Sequence, residues 1–179
     1  GDFDTAPASL APFDHAIAYV PSLDLYLDGT AEYTGSLELP AMDRGALALQ
    51  INEGKPLLVH LPDPPASESV VRTTVEGTLS AEGLLQFEWA AEATGASAST
   101  WRRRYHAEAT RSQRVLEDLA EKFPAAQLAS VSAGDLENIE IPALVKAKGK
   151  APSFARGEGE SWSIPVTPSQ HLVKDFAPL

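Results

Sequence analysis

The chain contains no cysteine. It therefore has no disulfide, no thiolate metal ligand and no thiol nucleophile of its own, and cysteine usage says nothing of its redox compartment. Long apolar runs are missing too. The least charged stretches, such as Ala16 to Leu23, meet a proline or an aspartate well short of the ~18 apolar residues that suggest a membrane span, so no transmembrane segment is expected. Basic charge is scarce: 25 acidic residues face 14 lysines and arginines, a formal net charge of −11. The deficit is local, because residues 1–69 hold eleven acidic and two basic side chains. Such a field repels phosphate backbones, whose binding needs a basic face that releases counterions; nucleic acid is excluded as a partner. His15, His60, His106 and His171 stand far apart with no ligand spacing, and no calcium-loop pattern surrounds the acidic Glu158-Gly159-Glu160. Neither a metal nor another cofactor is expected. Residues 1–12 show neither the basic nor the apolar region of a secretory signal, so targeting is not legible in this stretch.

What is present is ordinary globular material. Of 179 residues, 44% are apolar and 22% charged, which fits a folded chain rather than a disordered or fibrous one. The runs Ala16 to Val20 and Leu25 to Leu27 flank the turn-like Pro21-Ser22-Leu23-Asp24 and read as a hairpin. Gly29, Gly35, Pro40 and Gly45 then leave room only for loop and about one turn of helix. A second strand pair, Ala46 to Ile51 and Pro56 to His60, closes around Asn52 to Lys55, and Pro62-Asp63-Pro64-Pro65 marks a boundary between 1–61 and 66–179. From Val70 to Leu79 and again from Leu85 to Glu92 the pattern alternates with period two, predicting a long antiparallel hairpin with one apolar face. Its cover is one long helix from Ala98 to Lys122, with Trp101, Tyr105, Ala109, Leu116, Leu119 and Phe123 at helical spacing. Ser97 or Ser99 is the cap candidate, Pro124 the stop, and Thr110 to Gln113 the place for a kink. Gln127 to Ser132, Ile139 to Lys148 and Ser161 to Val166 read as further strands. The tail from Pro168 to Leu179 is pinned only where Leu172, Val173 and Phe176 reach the core. The fold class is α+β, mainly antiparallel sheet packed on the helix.

On this chain the chemistry gathers at Phe13-Asp14-His15-Ala16-Ile17-Ala18-Tyr19-Val20 and Leu25-Tyr26-Leu27-Asp28-Gly29-Thr30. If Pro21 to Asp24 is the loop, Val20 pairs with Leu25, Ile17 with Asp28 and His15 with Thr30. His15 and Asp28 then share a face as diagonal neighbours, about 7–8 Å apart at Cα, within reach of long side chains. The other face, Ala16, Ala18, Val20, Leu25 and Leu27, is apolar and should bury the hairpin. A slip of one residue would undo this.

These two strings resemble the histidine and aspartate strands of the bacterial transglutaminase-like superfamily, in which H-A-x-x-x-V precedes an L-D-x-T signature. The resemblance implies a Cys-His-Asp site of papain-like logic, with His15 as base and Asp28 orienting the imidazole. Gly29 stands where many members carry proline, and Ile17 where an aromatic is frequent; neither removes a reacting group. Only fourteen residues precede His15, too few for the cysteine helix, so the implied nucleophile lies upstream. The implied parent is a multidomain thiol acyltransferase or peptidase acting on a protein or peptide, periplasmic or otherwise extracytoplasmic. In that layout 1–61 is the end of an incomplete core and 66–179 a following β-rich domain with one helix. Edges exposed by truncation could drive dimerisation. An alternative stays open, in which the chain is a non-catalytic β-rich interaction or scaffold domain. Arg102, Arg103, Arg104, Arg111 and Arg114 read as a solvated helix face, Trp89 and Trp101 as core, and Trp162 as the one tryptophan that merits a binding test.

Overall fold

A computed structural model describes residues 13–52, 54–158 and 161–164. Among them are ten strands and two α-helices in an α+β arrangement. Strands β1 (Ala18–Val20) and β2 (Leu25–Leu27) form the first hairpin, and β3 (Leu47–Asn52) pairs with β4 (Lys55–His60) in the second. A four-stranded antiparallel sheet follows in the order β5 (Val71–Leu79), β6 (Leu85–Ala93), β8 (Ala143–Ala151), β7 (Gln127–Ala133). Strands β9 (Arg156–Glu158) and β10 (Ser161–Ser163) make a last short pair. The expected tail contacts, the strand end at Val166 and the side chain of Trp162 lie outside the described residues.

The sheet shows why period two dictates a layered fold. On β6, Leu85, Phe87, Trp89, Ala91 and Ala93 are buried, while the residues between them carry the polar groups. Strand β8 repeats this with Ala143, Val145, Ala147 and Ala151 inside and Lys146, Lys148 and Lys150 outside. Helices α1 (Gly95–Tyr105) and α2 (Glu108–Ala120) cover the apolar face with Ala98, Tyr105, Val115 and Leu119. Phe87 stacks on Phe123 at 4.7 Å, and Trp89 on Trp101 at 6.1 Å. Phe87 also lies between Gly77 and Gly149 in the ladder. A Cβ on Gly149 would sit 2.6 Å from the Gln127 carbonyl oxygen and 2.9 Å from the Phe87 ring, so only glycine fits beside this aromatic. The cover stops short of β5, however. Val71, Val75 and Leu79 point to the same side as the core residues they pair with, yet each is more than a third exposed. The helices pack on β6, β7 and β8 and leave this edge strand open.

Two helices replace the expected single one, and the break falls at His106-Ala107 rather than at Thr110 to Gln113. Ala107 is extended, with φ −71° and ψ 108°. Arg111 stabilises the break by donating from Nε to the Tyr105 carbonyl at 2.6 Å and from Nη2 to the His106 carbonyl at 2.8 Å, satisfying carbonyls at the end of α1. The start of α1 is capped from a distance: the Ala96 amide donates to Ser69 Oγ at 3.1 Å, not to Ser97 or Ser99. Gly95 adopts φ 55° there, against the Glu68 carbonyl. The strand expected from Ile139 begins only at Ala143.

The arginine run does not form one solvated face. Arg103 is exposed, but Arg102 is only 2% exposed. Its guanidinium donates from Nη1 to the Tyr33 carbonyl at 3.0 Å, and from Nη2 to the carbonyls of Ile139, at 3.1 Å, and Ile141. Arg104 makes a two-pronged pair with Asp118 of the next helix, at 2.8 and 2.5 Å. Tyr105 donates to the same carboxylate, and burial pushes its phenol above the ordinary tyrosine range.

Candidate functional site

The first hairpin is built as its spacing predicts. Val20 pairs with Leu25, Tyr19 with Tyr26 and Ala18 with Leu27. The connection is a turn of 3₁₀ helix, Pro21–Leu23, ending in Asp24 with φ 49°. Proline presets the φ of that turn, and an aspartate tolerates the left-handed position that closes it. The ladder stops at Ala18, so His15 and Ile17 are not strand residues. The expected contact between His15 and Asp28 is nevertheless made.

His15 Nε2 lies 3.1 Å from Asp28 Oδ2, with the histidine side chain 28% exposed and the aspartate side chain 2% exposed. Asp28 is held from the other side by Thr30, whose amide and hydroxyl both donate to Oδ1 at 2.8 Å. Burial alone would raise the Asp28 carboxyl, but the Thr30 amide, the Thr30 hydroxyl and His15 together outweigh it and hold the group below the usual carboxylate value. An ionised Asp28 requires the donor at Nε2. The imidazole tautomer assigned by this contact is Nε2–H, which leaves the Nδ1 lone pair as the basic nitrogen.

Two supports anchor the hairpin. Tyr19 and Tyr26 pack ring to ring at 4.6 Å, and the Tyr26 hydroxyl donates to Gln50 Oε1 on β3 at 2.8 Å. The apolar face was expected to bury the hairpin, and it does not: Ala16, Ala18 and Leu27 are exposed, with Val20 and Leu25 half-buried. The visible attachments run through the tyrosine side, the side of His15 and Asp28, because β3 lies there.

Sequence reasoning missed Asp43. Turns between Pro40 and Ala46 carry it inward: its amide donates to the Pro40 carbonyl at 3.0 Å, and the Ala46 amide donates to its carbonyl at 3.2 Å. Gly45 takes φ 65°, and its amide reaches the Pro62 carbonyl at 3.3 Å, closing the turn onto the irregular segment that follows β4. Arg44 fastens it by donating from Nε to the Leu39 carbonyl at 3.0 Å and from Nη1 to Ser69 Oγ at 2.9 Å. Asp43 is only 6% exposed, and its Oδ2 has no hydrogen-bond partner. Donor atoms of His15, Asp28 and Asp43 all lie within 4.8 Å of one another. One imidazole and two carboxylates could also serve a divalent cation. The signal in the sequence was faint, a single acid between a proline and a glycine in a segment already rich in acid. His60 contacts the Gly45 carbonyl through Nδ1 at 3.3 Å and, among the described residues, joins no cluster with the other three.

Comparison with protein-family models, with curated proteins and with solved structures finds no match to this chain.

Proposed function

We propose that this chain supplies the histidine and aspartate of a Cys-His-Asp site in a transglutaminase-like cysteine acyltransferase or peptidase, with the thiol contributed by a segment outside this sequence. The observation that supports it best is the His15 Nε2 to Asp28 Oδ2 contact, made by a carboxylate that Thr30 locks in place. The chemistry follows from the tautomer. His15 Nδ1 takes the thiol proton, and Asp28 stabilises the resulting imidazolium without accepting a proton itself. The thiolate attacks an acyl carbon of a protein or peptide, and the imidazolium returns the proton to the departing amine. His15 then deprotonates an amine or a water, whose attack on the thioester frees the thiol. Amine attack makes the enzyme a transferase, water attack a peptidase. The same resemblance assigns the parent to the periplasm or another extracytoplasmic space.

The test is an acyl-transfer and peptidase assay on the parent protein, comparing wild type with His15→Ala, Asp28→Ala and a substitution of the upstream cysteine. Loss of the thiol or of His15 should reduce kcat by about a thousandfold or more. An active parent that ignores His15→Ala ends this reading and leaves the β-rich unit as an interaction domain.

A further inference from the structure

We propose that Asp43 is a third member of this site, a positioning residue whose carboxyl O–H donates to Asp28 and holds that carboxylate against His15. The starting point is an accounting problem. Asp43 Oδ2 is buried with no hydrogen-bond partner, and its polar neighbours are another carboxylate and an imidazole already engaged with that carboxylate. Buried polar atoms are rarely left orphaned, and two facing carboxylates cannot both be ionised without a counter-charge. A single proton on the pair resolves both difficulties, since it turns an acceptor without a donor into a donor facing an acceptor.

The proton belongs on Asp43. Asp28 receives the Thr30 amide, the Thr30 hydroxyl and His15, three donors that favour its ionised form, whereas Asp43 Oδ2 receives none. Each carboxylate oxygen has two lone pairs, so Asp28 retains room for one more donor. Burial and then the Asp28 charge raise the Asp43 carboxyl, with His15 pulling the other way. The arrangement also suits the catalytic reading on which this inference rests. With one proton shared by the two acids, the imidazole faces a single negative charge, enough to orient it. Two charges would stabilise the imidazolium further and discourage return of the proton to a leaving group.

The experiment uses carbon-detected titration of the Asp28 and Asp43 carboxyls in this chain, together with nitrogen shifts of the His15 ring. The expected result is that Asp43 loses its proton at a clearly higher pH than Asp28, that Asp28→Asn moves the Asp43 midpoint down, and that His15 stays Nε2–H in Asp43→Asn but becomes a tautomer mixture in Asp43→Ala. In the parent, Asp43→Ala should lower kcat about tenfold or more with KM little changed, as misplacement of a catalytic group does, and Asp43→Asn, which keeps a donor, should restore most of it. Coincident titration of both acids, or an Asp43→Ala variant with an unaltered tautomer, overturns the proposal. So does stoichiometric zinc binding that requires all three side chains, which would make the cluster a cation site. Because the titration is read without turnover, an inactive parent would remove the thiol-site reading and leave this one to be decided by the spectra.

Discussion

Residues 13–62 and residues 70–158 are held together by different means. In the later stretch the strands alternate, two helices lie on one face, and the buried residues form a continuous apolar cluster from Leu85 to Ala151. In the earlier stretch Leu39 and Leu61 are the buried hydrophobics, with Asp43 as buried as either. Leu47, Leu49, Ile51, Leu57 and Leu58 are each more than a third exposed. That stretch takes its shape from turn hydrogen bonds, from the Asp28 and Thr30 clasp, and from two arginines that tie it to the sheet unit. A region shaped by buried area resists the loss of any one polar contact; a region shaped by a few directed bonds places a site accurately but opens more easily.

The largest effect should come from the apolar side of this contrast. Phe87 is 3% exposed, stacked on Phe123 and flanked by two glycines that leave no side chain to refill the space. Phe87→Ala should cost about 3–5 kcal/mol in chemical denaturation. A loss under about 1 kcal/mol would mean that the sheet unit is not held by packing. Arg102→Ala comes next, at about 3 kcal/mol, because it empties a buried guanidinium site and leaves the carbonyls of Tyr33, Ile139 and Ile141 without their donor. Hydrogen exchange should accelerate around 33–36 and 139–141 while β6 and β8 stay protected. Equal loss everywhere would erase the distinction between the two regions.

A smaller effect concerns pH, and the two carboxyls oppose each other. Asp28 is lowered in the folded chain, so its contribution is present above the ordinary aspartate value of about 3.9 and is lost as pH falls through its folded pKa. Asp43 is raised, so its contribution is complete below about 3.9 and is lost as pH rises through its folded pKa. Asp43→Asn should therefore melt higher than wild type near neutrality and converge with it toward pH 4. A variant that melts lower than wild type at pH 7 would show that Asp43 is ionised and paired there.

The difference between the regions also explains what was legible beforehand. Period two and helical spacing are records of burial, so β5, β6, the core position of Trp89 and a helical cover through Tyr105 and Leu119 could be read from the chain, with Trp101 packed against that core; Ala109 and Leu116, read onto the same face, are exposed, and Val115 is buried instead. The hairpin register could be read because its turn is local, and the His15 to Asp28 contact followed from it. Asp43 could not, since its place depends on turns that bring together residues far apart in the chain, and polar contacts leave no period. Arg102 misled for a related reason: its neighbours are a run of solvated charges, while its partners are carbonyls 37, 39 and 69 positions away. The break at His106 was misplaced because weak helix propensity pointed to Thr110, whereas Arg111 stabilises the C-terminal end of α1.

The smallest effect is expected at Ile51, and its smallness is the informative part. Ile51 is 70% exposed on β3, in a strand pair whose leucines are also open to solvent. In this chain Ile51→Ser should change stability by no more than about 0.5 kcal/mol, the range of ordinary surface substitutions. A hairpin left this apolar is a surface of the kind that a partner covers. If the thiol-bearing segment proposed above packs on this hairpin, the same substitution should cost more in its presence, by the transfer free energy of whatever area it covers. If instead Ile51→Ser destabilises the isolated chain by more than about 1 kcal/mol, sedimentation at several concentrations should reveal self-association through β3 and β4. In that case the earlier region, too, is held by packing, supplied by a second copy rather than by its own sequence.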